Sequence, residues 1–191
     1  VQSHLETLER RYSRYLTDSL VSTINSRAGS GDFTHLDPES ETLLEIADQL
    51  WRSSGGLFDI TSGVLRKAWR FEAANAPVDL SQLEALKKQV GWDKVKRTGE
   101  GVYLPVKGME IDLGGLAKEY AADCAVKLLR DHGVTSALIE LAGDVATIGS
   151  QPSGRPWRVG IRAPQGGDPV GGIALSNAAA ATSGNYARTL R

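Results

Sequence analysis

The segment that most constrains this chain is Glu110-Ile111-Asp112-Leu113-Gly114-Gly115-Leu116-Ala117-Lys118. Met109-Glu110-Ile111 reads as a short strand, Asp112 places a carboxylate at its end, and the glycine pair turns the chain into a long helix. Along that helix Leu116, Ala117, Tyr120, Ala121, Cys124, Leu128 and Leu129 fall on one side, and Gly133 stands where a helix stops. Such a helix start is suited to an anion. Glycines let a ligand approach the backbone, the N–H groups of the first turn point outward, and Lys118 adds a positive charge. Asp112 then accepts hydrogen bonds from a base or a ribose. On this segment alone a plainer reading stands beside it: Asp112 caps the helix, and Gly114 and Gly115 only make the turn.

The rest of the chain alternates helices with short strands, an α+β order. A first helix is expected from Leu5 to about Leu16, with Leu8, Tyr12 and Tyr15 on its apolar face. Thr17-Asp18-Ser19 follows with capping or turn chemistry. A second helix takes Asp37 as cap and Pro38 in its first turn, buries Leu43, Leu44, Ala47, Leu50 and Trp51, and ends at Gly55. Ser81 and Glu84 form a capping box for a helix through Leu83, Leu86 and Val90 that ends at Gly91. Strands are expected at Val102–Leu104, Met109–Ile111, Ala137–Leu141, Val145–Ile148, Trp157–Ile161 and Gly172–Leu175, with Ala178–Ala181 as a buried strand. Trp51, Trp69, Trp92 and Trp157 are expected to pack. His4, His35 and His132 lie far apart and are assigned no catalysis.

A chain of 191 residues, 41% hydrophobic, can bury a genuine core. Its 22 basic and 23 acidic residues leave a formal net charge of -1, so no field gathers polyanions and nucleic acid is not an expected partner. Cys124 is the sole cysteine, which excludes an intrachain disulfide framework and a cysteine-based zinc site. No apolar run approaches the roughly 20 residues that span a bilayer.

Other blocks accompany the Asp112 segment: Tyr12-Ser13-Arg14-Tyr15 through Ser19 with Asn25, Ser54-Gly55-Gly56-Leu57-Phe58-Asp59-Ile60-Thr61, Gly143-Asp144, Trp157–Ile161, and Ala181-Thr182-Ser183-Gly184-Asn185-Tyr186. In this order and near this spacing the set resembles the ApbE-type family of FAD:protein FMN transferases, once described as thiamine biosynthesis lipoproteins. The resemblance implies an ApbE-like, T-fold-like α+β architecture of mixed sheets with packed helices. It implies a magnesium-dependent enzyme that binds FAD, moves FMN onto a threonine hydroxyl of a target flavoprotein and releases AMP. Alternatives kept open are an FAD-binding protein without transferase activity and a diphosphatase that cuts FAD into FMN and AMP.

Carried over position by position, the resemblance makes Tyr15 the aromatic against the flavin nucleotide, Leu57, Phe58 and Asp59 an FAD-contacting tripeptide, Asp112 and Lys118 further FAD contacts, and Gly115 a metal contact through its carbonyl. Structural readings stand next to these. Tyr15 and Phe58 suit a core, Asp59 suits a turn, and Thr182, Ser183 and Gly184 either line a pocket or end a strand. Glu119 stands where the family usually has glycine, and Ala142 replaces the first of two glycines before Asp144. The family's His-x-x-Asp-Pro segment and the later Asp-containing segment with most of its metal ligands are absent from residues 1–191, so the domain is expected to be incomplete at its C-terminus. A periplasmic or inner-membrane-anchored lipoprotein, held by a lipid upstream, is what the resemblance suggests for localisation.

Overall fold

The computed structural model describes residues 1–68 and 80–183. The expectations for Trp69 and Gly184-Asn185-Tyr186 therefore lie outside the described residues. The chain divides into two compact units, residues 6–117 and residues 1–5 with 118–191.

The unit of residues 6–117 is mainly helical. Helix α1 (Gln2–Tyr12) begins before it and buries Leu8 and Tyr12 within it. The helix stops before Tyr15, because Ser13 and Tyr15 enter a turn closed by Tyr15 N–H donating to Ser13 Oγ (3.2 Å). Tyr15 is consequently 73% exposed, and Tyr12 is the aromatic that enters the core, its hydroxyl 3.1 Å from Ser40 Oγ. Helix α2 (Leu20–Ser26) follows, capped by Ser19, whose Oγ accepts from Ser22 N–H at 2.9 Å. Helix α3 (Pro38–Ser53) starts as its sequence directs: Asp37 accepts from Ser40 N–H at 2.8 Å, and Leu43, Leu44 and Ala47 are buried.

A 3₁₀ segment, Ile60–Ala68, buries Ile60, Thr61 and Val64. Helix α4 (Leu80–Lys87) holds Ser81 within it, so Ser81 is not its cap, and Glu84 pairs instead with Lys87 at 2.7 Å. Strands β1 (Lys96–Thr98) and β2 (Gly101–Tyr103) form an antiparallel hairpin, with Thr34 bridged to Val102. Met109–Ile111 is extended and buried at Met109 and Ile111, but it is not a strand. Its neighbour is a side chain: Asn25 Nδ2 donates to Ile111 O (3.0 Å) and Ile111 N–H donates to Asn25 Oδ1 (2.7 Å).

The other unit carries helix α5 (Ala117–Asp131) from its second residue onward, and two small antiparallel sheets. Helix α5 buries Ala122 and Ala125 and closes at Gly133, whose positive φ of 78° suits glycine, with Val134 N–H on Leu129 O at 3.0 Å. Strand order is β3 (Ala137–Leu141), β4 (Asp144–Ile148), β7 (Ala179–Ala180) in one sheet and β5 (Trp157–Ile161) with β6 (Gly171–Leu175) in the other. Central β4 is buried at every residue. Edge strand β7 is the expected Ala178–Ala181 strand shortened to a pair of residues, neither of them buried. This mixture of helices and small sheets is the α+β architecture expected from the sequence.

Candidate functional site

The residues singled out for a ligand fall in both units, and each unit builds its own arrangement. In residues 6–117 the segment from Met109 to Leu113 alternates. Met109, Ile111 and Leu113 point into the core, and Glu110 and Asp112 are only partly covered. Glu110 pairs with Arg66 at 2.5 Å and also with Lys67. Burial pushes its carboxyl pKa up, but hydrogen bonds and charge from Lys67 and Arg66 outweigh this and hold it below the ordinary value.

Asp112 is fixed from several sides. Its N–H donates to Ile60 O (2.7 Å), its Oδ1 accepts from Gly114 N–H (3.0 Å), and its Oδ2 meets Arg14 Nη1 at 2.6 Å. Gly63 packs against it so closely that a Cβ there would stand 2.4 Å from Asp112 Cβ. Asp112 thus closes the glycine turn, while Leu113 O receives the first N–H groups before α5, from Leu116 at 2.9 Å and Ala117 at 2.7 Å. The plainer reading of this carboxylate, organising the turn, is realised, and its side chain is 22% exposed. Arg14 also donates through Nη2 to Tyr15 Oη at 2.8 Å, with its Cζ 4.8 Å from the Tyr15 ring centroid.

Leu57, Phe58 and Asp59 follow the end of α3. Gly55 and Gly56 take positive φ of 64° and 84°, and Ser54 Oγ accepts from Phe58 N–H at 2.9 Å. Leu57 is 92% exposed, so packing does not account for it. Phe58 is half-buried rather than buried, and its ring edge lies 3.7 Å from where a Cβ on Gly115 would be. Asp59 holds a structural network: Oδ1 accepts from Thr61 N–H (2.7 Å) and Oγ1 (2.6 Å), and Oδ2 accepts from Trp92 N–H (3.0 Å). The turn-stabilising reading of Asp59 is therefore realised in the fold, and it leaves a flavin contact open.

Gly115 is exposed and has only its backbone to offer a metal. Magnesium requires near-octahedral oxygen coordination, and among the described residues no three His, Cys, Asp or Glu side chains converge beside Gly115. The described residues alone do not make a magnesium site. An open groove of about 650 Å³ between α3 and the β1–β2 hairpin, lined in part by Leu36, Glu45, Ile46 and Arg97, contains none of the expected contact residues.

In the other unit Lys118 Nζ lies 2.6 Å from Asp144 Oδ2, and Asp144 Oδ1 accepts from Thr182 N–H at 3.0 Å. Burial raises the Asp144 pKa, yet the Lys118 ammonium, the Thr182 N–H and the Glu119 side chain together hold it below the ordinary value. The charge expected to face a phosphate is thus shared here with a carboxylate, and Thr182 ties the end of β7 to the start of β4. Arg14 and Asp144 are the residues that sequence reasoning passed over as site residues. Both sat inside recognised blocks, but their partners are distant in sequence and only the fold shows them.

Comparison with known proteins agrees with this architecture. The ApbE family profile matches residues 1–191. A FAD:protein FMN transferase of Rhodobacter capsulatus is 32% identical over 97% of this chain and 36% of its own length. One from Treponema pallidum is 32% identical over 96% of this chain and 56% of its own. The crystal structure of the ApbE protein from Thermotoga maritima superposes with a TM-score of 0.85 at 29% identity, over 97% of this chain and 62% of that one. The flavin transferase ApbE from Vibrio cholerae shares the fold, with a TM-score of 0.84 at 24% identity over 100% of this chain and 64% of its own. The chain therefore spans roughly one to two thirds of the length of these relatives. With its helices, its small sheets and its glycine turn at Asp112 all inside a match that runs from Val1 to Arg191, the chain belongs to the ApbE family.

Proposed function

We propose that this chain recognises FAD and belongs to a FAD:protein FMN transferase. The observation that carries the reading is the match to relatives of that name over almost all of the chain, with Tyr15 and Asp112 brought to one guanidinium in the fold. An aromatic ring beside a carboxylate suits a planar heteroaromatic ligand that carries N–H or O–H donors. Leu57 and Phe58, with their incompletely buried side chains, and Asp59 are further proposed contacts within residues 6–117, and Lys118 is proposed as an FAD contact on the strength of its family position alone.

The reaction proposed is phosphoryl transfer. A threonine oxygen of the target flavoprotein bonds to the FMN phosphorus of FAD, the bond from that phosphorus to the bridging oxygen breaks, AMP departs, and the hydroxyl proton passes to solvent or a base. This chemistry depends on positioning and on neutralising phosphate charge. Magnesium would supply that neutralisation when bound, and the described residues offer it the Gly115 carbonyl. A periplasmic or membrane-anchored setting belongs to the same proposal and rests on family membership.

The test is mass spectrometry of a flavoprotein target incubated with the full-length protein, FAD and magnesium. Gain of one FMN mass on threonine, abolished by EDTA, is the expected result; a target that gains no FMN mass overturns the transferase reading. A second reading, FAD binding without transfer, takes its support from the described residues, among which Gly115 could offer a metal only its carbonyl. It requires FAD affinity indifferent to EDTA. AMP release in the absence of any target would instead mark a diphosphatase.

A further inference from the structure

We propose that Arg14 is a positioning residue for the flavin-nucleotide site, acting through Asp112 and Tyr15 rather than by contact with the reacting phosphorus. The inference rests on the FAD reading above and assigns a role to a residue outside its contact set.

Arg14 stands two residues past the end of α1, in a turn, where helix geometry does not fix it. Its side chain is nevertheless only 19% exposed. One end of the guanidinium meets Asp112 Oδ2 at 2.6 Å, the other donates to Tyr15 Oη at 2.8 Å, and the cation lies 4.8 Å from the Tyr15 ring centroid. Asp112 Oδ1 is separately held by Gly114 N–H. Rotation of the carboxylate would therefore break a hydrogen bond at each oxygen. The Tyr15 side chain is largely in water, and its aromatic face gains a defined direction from the cation and the hydroxyl contact. A planar fork of N–H donors can hold a carboxylate and a phenol oxygen at a set angle; an ammonium on a flexible stem cannot. Arg14 thus couples the N-terminal turn to the Asp112 turn, and the two groups expected to meet the flavin nucleotide are oriented before any ligand arrives.

The test measures FAD affinity by flavin fluorescence quenching for the full-length protein, Arg14→Ala, Arg14→Lys, Asp112→Asn and the double variant Arg14→Ala/Asp112→Asn. Loss of a charge-assisted pair predicts that Arg14→Ala weakens FAD binding about 10- to 100-fold. Arg14→Lys keeps the charge and the stem, so it guards against a folding artefact; it is expected to recover only a minor part of the affinity. Because part of the effect of Arg14 runs through Asp112 and part through Tyr15, the double variant should bind worse than Asp112→Asn alone but clearly better than the product of the two single losses predicts. Added methylguanidinium should restore part of the affinity of Arg14→Ala and a smaller part in the double variant.

Wild-type affinity for Arg14→Ala and Arg14→Lys overturns the inference, and so do losses that multiply independently in the double variant. Failure of the wild-type protein to bind FAD overturns the functional reading itself, which is a separate outcome.

Discussion

At the scale of single residues, Asp59 shows how a side chain in a proposed contact motif can be committed to the fold. Its two oxygens accept from three donors on Thr61 and Trp92, and Thr61 Oγ1 in turn accepts from Gly91 N–H at 2.8 Å. Asp59→Asn turns one acceptor into a donor facing an N–H or O–H group. That leaves a largely buried donor unpaired, and the expected cost is about 1–3 kcal/mol. Urea denaturation checks this; a variant with an unchanged midpoint and slope would show that the network is dispensable. Glu110 gives a pH signature. Its carboxyl pKa is lowered in the fold, so its contribution is present above the ordinary value of 4.5 and is lost as pH falls through the lower folded value. Glu110→Gln should therefore be less stable at neutral pH and lose less stability on acidification than the parent. Denaturation midpoints taken across roughly pH 2 to 7 test it, and parallel curves for the two proteins would remove Glu110 from the acid transition.

Among the elements, the close approaches of backbone are the most sensitive points. A Cβ on Gly101 would lie 2.0 Å from Thr34 O, and Gly101 has a φ of 122°, so both space and conformation require glycine there. Gly101→Ala should break the Thr34–Val102 bridge and cost at least about 1–3 kcal/mol, read as a lowered melting temperature. The helices with explicit caps were legible in the sequence: Asp37-Pro38 sets α3 and Gly133 ends α5. So were β3 to β6, where apolar runs lie between turn residues. Strand β1 was not, because Lys96-Arg97-Thr98 is exposed at every position and carries no alternation. The Met109–Ile111 strand was expected for a sound reason, its alternation, but Asn25 replaces a partner strand with one amide. Periodicity reports burial, and it does not report what pairs with the backbone. Tyr15 was placed on a helix face that ends earlier, and its exposure follows from that ending. The proposed contact residues and Arg14 lie in motif blocks visible in the sequence, but the pairing of Arg14 with Asp112 was not legible, since an ion pair between distant segments leaves no local pattern.

For the molecule as a whole, the two compact units make FAD recognition a question about which part of the fold the ligand stabilises. Tyr15, Leu57, Phe58, Asp59 and Asp112 all belong to residues 6–117, and Lys118 belongs to the other unit. A chain with two units need not unfold in a single step, so one melting temperature can hide the effect of a ligand that holds only one of them. Calorimetry of the full-length protein resolves this. FAD at about 100 times its Kd should stabilise the native state by about 2.7 kcal/mol, a rise of roughly 5–10 °C for a chain of this size. If the unfolding resolves into two transitions, the shift must appear in the one that Asp59→Asn and Gly101→Ala also move, because those substitutions act inside residues 6–117. Lys118→Ala separates the contributions further. It removes the Asp144 ion pair, and with it a positive charge proposed for the phosphates, so it should lower the FAD-induced shift while leaving the ligand-free transition of residues 6–117 in place. An FAD response confined to the transition those two glycine and aspartate variants do not touch would place recognition away from Tyr15 and Asp112, and the functional reading would have to be rebuilt around Lys118 and Asp144.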